Sequence, residues 1–70
     1  MNGHKERMKE EYHQLKDRYA KLHRIIVNYE AGTLDFTPSC GLDLLKTQLK
    51  AMAEYLYCLE IRAEIEHVEL

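Results

Sequence analysis

Apolar residues recur in the first half of the chain at Met8, Tyr12, Leu15, Tyr19, Leu22, Ile26 and Tyr29, in steps of 4, 3, 4, 3, 4 and 3. That spacing keeps one side of an α-helix apolar. Lys, Glu, Arg, Asp, Gln and His fill most positions between, and neither Gly nor Pro interrupts them after Gly3. The pattern predicts an amphipathic helix over about residues 4–29. In the second half Leu42, Leu45, Leu49, Met52, Leu56, Leu59 and Ala63 follow the same alternation. A second helix is therefore expected over about residues 38–67.

Between them the stretch from Glu30 to Pro38 breaks the periodicity. Gly32 suits the left-handed residue that ends a helix. Thr37-Pro38 reads as a cap followed by Pro at the first helical position, with Ser39 as the alternative cap. Phe36 then stands where a hydrophobic staple would pack on the next turn. Two long helices joined by a short loop become antiparallel neighbours. The expected fold is all-α, a single antiparallel two-helix hairpin over residues 1–70.

The second helix carries more apolar surface than one neighbour can cover. Leu44, Ala51, Tyr55, Cys58 and Ile65, with Ala53, Tyr57, Ile61 and Val68 beside them, form a second stripe. A helix facing one partner needs an apolar sector only about 100° wide. Burying a large aliphatic or aromatic side chain contributes about 1.5–3 kcal/mol, so a wet second stripe forfeits several such terms. Assembly into a helical-bundle homo-oligomer, a dimer or larger, would use it. A different protein laid on the second helix is the other occupant.

Composition narrows the setting. The 70 residues are 46% hydrophobic and 31% charged, too apolar for a disordered tail and too charged for a membrane protein. No run approaches the roughly 20 apolar residues of a spanning helix, nor does the N-terminus show a signal-peptide core. Two cysteines, Cys40 and Cys58, do not make a secreted disulfide scaffold. A cytoplasmic protein with free thiols is expected. A chain this short rarely encloses a deep cleft alone, which argues against a monomeric enzyme.

Charge divides unevenly. Residues 1–29 hold seven Lys/Arg against four Asp/Glu, a balance of +3. Residues 30–70 hold three against eight, a balance of −5. Packing a basic helix on an acidic one explains this through rim ion pairs of about 0–1 kcal/mol each. The functional reading makes the first helix a phosphate-binding surface, with Lys/Arg as donors and Tyr12 and Tyr19 as faces for a base. Extended double-stranded DNA fits poorly, because the acidic helix would repel it. Five Tyr with one Phe and no Trp is a bias toward aromatics with a polar tip. Tyr12, Tyr19 and Tyr29 stand at seam positions where Leu would pack more simply, so their hydroxyls either reach solvent at the margin or face a ligand.

Chemical motifs are few. Glu64-Ile65-Glu66-His67 has the Glu-x-x-His spacing of di-metal bundles, but the first helix offers only Tyr and aliphatics where further carboxylates are needed. His13 with Asp17 makes at most half a zinc site. Cys40 and Cys58 lie about five helical turns apart, no spacing nominates a base for Cys40, and Cys58 reads as a small buried apolar residue. There is no phosphate-cradling glycine loop and no nucleophile elbow. Neither a cofactor nor a catalytic set is expected.

The order Arg7-Met8-Lys9-Glu10-Glu11-Tyr12, then Leu15 to Leu22, then Leu44 to Leu56 after the loop, resembles small phage and prophage proteins of the "crAss-like phage related" kind. Gln48-Leu49-Lys50-Ala51-Met52-Ala53-Glu54-Tyr55, followed by Leu59, Glu60 and Arg62, is the most recognisable stretch. That group is in turn similar to helical-hairpin phage sponge proteins directed against CBASS and Thoeris immunity. The resemblance implies a non-catalytic protein that sequesters a cyclic nucleotide or cyclic ADP-ribose signal at hairpin interfaces. Lys and Arg would hold phosphates and Tyr would stack on bases. By position, Arg7, Tyr12, Lys16, Tyr19, His23 and Arg24 are the candidate ligand-binding residues, although no motif carries over residue by residue. The alternative function is a helical interaction module, an inhibitor or adaptor binding a host protein through the second helix.

Overall fold

Steps of three and four gather the apolar residues on one side of each helix, and the structure lays those two sides together. The computed structural model describes residues 3–70. It holds two helices, α1 (Gly3–Ala31) and α2 (Leu42–Glu66), and no strand among the described residues. Contacts between His4 and Glu66, Tyr12 and Glu60, and Glu30 and Lys46 show that they run antiparallel. The hairpin measures 47 × 18 × 17 Å.

Of the expected first seam, Met8, Tyr12 and Ile26 are buried and Leu15, Tyr19 and Leu22 half-buried. Tyr29 is a correction: the last seam position of α1 is 44% exposed, although α2 reaches that end of α1 and its Lys46 meets Glu30. In α2 the whole expected seam faces inward. Leu59 is fully enclosed, Ala63 is buried, and Leu42, Leu45, Leu49, Met52 and Leu56 are half-buried. No polar side chain is buried among the described residues.

The second stripe of α2 is largely outside. Leu44, Tyr55, Tyr57, Ile61 and Ile65 are exposed, and so is Cys58, which had been expected inside. Leu44, Gln48, Ala51, Tyr55, Cys58, Arg62 and Ile65 repeat the steps of 4 and 3 on the flank next to the core seam. The inner line wins because it is almost entirely Leu and Met. The outer line is interrupted by Gln48 and Arg62, whose burial without partners would cost several kcal/mol. Val68, read with the outer stripe, is instead buried.

The helix ends explain that difference. At the end of α1 Gly32 has φ 77°. Its N–H donates to the Tyr29 carbonyl at 3.2 Å, and the Thr33 N–H donates to the Asn28 carbonyl at 2.9 Å. The end of α2 repeats the motif with a non-glycine residue, His67, at φ 57°. The Val68 N–H donates to the Ala63 carbonyl at 2.8 Å, and Val68 packs with Ala63 and Met8. That apolar contact across the cap is the usual companion of a left-handed helix end.

The start of α2 corrects the expectation. The helix opens at Leu42, four residues beyond Pro38, with an extended Gly41 as its cap and no side-chain capping bond. A turn over residues 38–41 would add no seam residue. It would also draw Gly41 into the helix at about 1 kcal/mol relative to Ala. Phe36 forms no staple and is 53% exposed.

Two stability predictions follow from this packing. Leu59→Ala should cost about 2–5 kcal/mol, and in so small a core circular dichroism should show most of the helix lost at ambient temperature. A near-native melting curve would contradict the placement of Leu59 at the centre. His67→Gly removes the strain of a left-handed non-glycine residue and should stabilise by about 1 kcal/mol. A lowered melting temperature would contradict it.

Candidate functional site

At 3.6 residues per turn, Arg7 and Lys16 project from opposite sides of α1. The six candidate residues therefore do not form one cluster. Tyr12 lies between the helices, 5% exposed, and its hydroxyl donates to Glu60 at 2.7 Å. The Lys16 ammonium sits 5.5 Å from the centre of the Tyr12 ring, a cation–π contact. One helical step further on, the rings of Tyr19 and His23 stack at 5.9 Å and 10°. Arg24 is exposed. Tyr12, Lys16, Tyr19 and His23 thus form a strip along one side of the hairpin, with its aromatic faces partly occupied by neighbouring side chains.

Arg7 takes part in a different arrangement. With His4, Met8, Glu10, Glu11 and Gln14 of α1 and Arg62 of α2 it lines an open groove of about 520 Å³. A second groove, of about 570 Å³, is lined by residues of α1 alone, among them Glu6, Glu10 and Asp17. Only the first spans both helices. Its far wall comes from the residue facing Arg7 across the antiparallel pair. Sequence reasoning missed Arg62, His4 and Gln14. Arg62 nevertheless carries a signal, as the one arginine of α2, set among Glu60, Glu64 and Glu66, and one of two polar breaks in its outer stripe.

The groove is braced at both edges. His4 Nε2 meets Glu66 Oε1 at 2.7 Å, fastening the start of α1 to the end of α2. The Tyr55 hydroxyl donates to the Glu11 carboxylate, which orients that carboxylate beside the groove. This bond holds the Tyr55 hydroxyl above the ordinary phenol range, with desolvation and the Glu11 charge adding in the same direction. Among the described residues Arg7 has no carboxylate within ion-pair distance, and Arg62 Nε lies 3.8 Å from Glu66 Oε2. The Arg7 guanidinium is therefore available to an anion, while that of Arg62 is shared with Glu66. Each is a planar donor array suited to phosphate or carboxylate oxygens. The Glu10 and Glu11 carboxylates supply acceptors in the same space.

The chemistry on offer is recognition: donors for an anionic group, acceptors for N–H groups and the Met8 side chain for apolar contact. Among the described residues no three His, Cys, Asp or Glu side chains gather as metal ligands, and no helix is long and apolar enough to cross a membrane.

The chain belongs to the Sequestin family, which matches residues 2–65. This agrees with the resemblance to sponge proteins drawn from its ordered helical segments. No curated protein and no solved structure matches the chain.

The Tyr12–Glu60 bond also sets a pH dependence. Donation to Glu60 holds the Tyr12 hydroxyl above its ordinary value of 10.0, with burial and the Glu60 charge adding to the effect. A raised folded-state value contributes stability that is complete below about pH 10 and lost as pH rises through the folded-state value. Melting temperatures between pH 8.5 and 11 should fall more steeply for the wild type than for Tyr12→Phe. At pH 7 that variant should lose about 1 kcal/mol. Parallel curves would show that the bond does not persist in solution.

Proposed function

We propose that this protein is a phage-encoded binder that sequesters a phosphorylated cyclic nucleotide or cyclic ADP-ribose signal and so blocks bacterial antiviral defence without chemical turnover. The single observation that carries the reading is the groove between α1 and α2, lined by the guanidinium groups of Arg7 and Arg62, of which Arg7 has no carboxylate partner among the described residues. Membership of a family described as Sequestin supports holding over conversion. Arg7 belongs to the groove itself. Tyr12, Lys16, Tyr19 and His23 belong to a strip on the other side of the hairpin, which a ligand could reach at a boundary between copies, and Arg24 is exposed elsewhere on α1.

Self-association is part of this reading. The exposed line from Leu44 to Ile65 keeps heptad spacing along the length of α2. α2 is 25 residues long, about 37 Å, so the line presents a mainly apolar strip of nearly that length. A second copy of the chain supplies a face of matching length and spacing. The rival reading, a module that binds a host protein through α2, draws on the same exposed residues. Light scattering separates them, since a stable oligomer at micromolar concentration favours the first and a strict monomer the second.

Calorimetry with cyclic dinucleotides, cyclic trinucleotides and cyclic ADP-ribose isomers tests the binding. At least one should bind with micromolar or better affinity and be recovered intact after denaturation. Arg7→Ala and Arg62→Ala should each weaken it by about tenfold or more, as expected for a lost charge-assisted hydrogen bond of about 1.5–3 kcal/mol. No binding across the panel, or recovery of a cleaved product, would overturn the proposal.

A further inference from the structure

The outer line of α2 is exposed at every position from Leu44 to Ile65, and its two polar members are placed symmetrically. Gln48 lies seven residues before Tyr55 and Arg62 seven residues after it. Seven residues make about two turns of helix, so both project from the same side as Tyr55. Around that centre Ala51 stands four residues before and Cys58 three after, and Leu44 eleven before and Ile65 ten after. From Tyr55 outward, either way, the order is a small residue, a polar one and a large aliphatic one.

A line of this kind complements its own reverse. When two α2 helices run antiparallel about a two-fold axis at Tyr55, each residue meets the one at equal distance beyond the centre. Leu44 then covers Ile65 of the second copy, and Ala51 faces Cys58. The two Tyr55 rings lie side by side in the room those small neighbours leave. Gln48 meets Arg62, whose guanidinium donates to the amide oxygen and keeps its contact with Glu66 one turn further on. The polar breaks that keep this line out of the hairpin core thus become partners of each other. A parallel pair would set each residue against its own copy, and Arg62 against Arg62 is repulsive. We infer that two copies pair through α2 in an antiparallel register centred on Tyr55, with Gln48 of each on Arg62 of the other.

Two further features fit this pairing. Tyr55, at the centre, is held by its hydroxyl bond to Glu11 of α1, so the hairpin itself positions the ring that meets its copy. Arg62 also lines the groove it shares with Arg7, so the pairing brings Gln48 of the second copy to the α2 wall of that groove. Within one chain nothing is left to cover the line, because α1 already lies on the inner seam.

This pairing rests on the self-association proposed above and gives it a direction. A disulfide needs Cα atoms within about 7 Å. In the antiparallel pair Cys58 lies opposite Ala51 of the second copy, whereas the two Cys58 residues stand about 9 Å apart along the axis. With a mild oxidant, Cys40→Ser/Ala51→Cys should therefore run as a covalent dimer, and Cys40→Ser alone should not. Positions 51 and 58 of one chain are about 10 Å apart, so such a bond joins two chains. Sedimentation then reads the Gln48–Arg62 contact. Gln48→Glu should tighten the dimer about threefold or more, through two exposed ion pairs, and Gln48→Arg should weaken it. Gln48 is exposed and outside the core seam, so both variants keep the hairpin. Cross-linking through Cys58 alone, none through the Ala51→Cys variant, or a dimer unmoved or weakened by Gln48→Glu would overturn the register and leave self-association standing. A chain that stays monomeric at high micromolar concentration would overturn both.

Discussion

A hairpin of two helices has one interface, and everything else in this protein follows from that limit. Each helix can turn only one stripe inward, so six buried side chains, centred on the fully enclosed Leu59, anchor the pairing. The open end of the hairpin is closed by Met8, Ala63 and Val68, and the left-handed end of α2 brings Val68 back over the helix to reach them. Without that cap Met8, at the start of α1, would lose the cover of Val68.

The same limit explains where binding chemistry can arise. A pair of helices encloses no cavity, but its two flanks are long furrows in which side chains from opposite helices meet. On one flank Arg7 and Arg62 line the same groove, with Glu10, Glu11 and Gln14. On the other, Lys16 lies over the Tyr12 ring, whose hydroxyl donates to Glu60, and Tyr19 stacks on His23. The ties that hold these flanks, His4–Glu66 and Tyr55–Glu11, are exposed and individually weak. They fix the position of side chains more than they stabilise the fold. The apolar stripe that the core leaves uncovered gives the molecule a means of gaining burial through association.

The heptad spacing made both helices and the inner seam legible, because the three-and-four step is a property of the helix itself. Gly32 was legible as a helix end for the same local reason. The errors fall where a residue's fate depends on what lies opposite. Tyr29 has the right spacing but lies exposed at the loop end of the pair. Pro38 could begin a helix, yet nothing there would be buried. Cys58 looks like a core residue and lies on the outer line. Of the candidate site residues, Arg7 could be placed on α1, but not beside Arg62.

By itself, then, the chain's pattern of apolar and polar residues determined two amphipathic helices, their antiparallel pairing and an excess of apolar surface on the second. The tertiary structure decided which α2 stripe faces inward, which tyrosines are covered, and that the six basic and aromatic candidates do not form one cluster. The physical reason is separation along the chain. Helical periodicity acts over three or four residues, whereas the contacts that build the flanks join residues 48 and 62 positions apart, as in Tyr12–Glu60 and His4–Glu66. Their register depends on how Leu59 and its neighbours pack, and no local spacing encodes that.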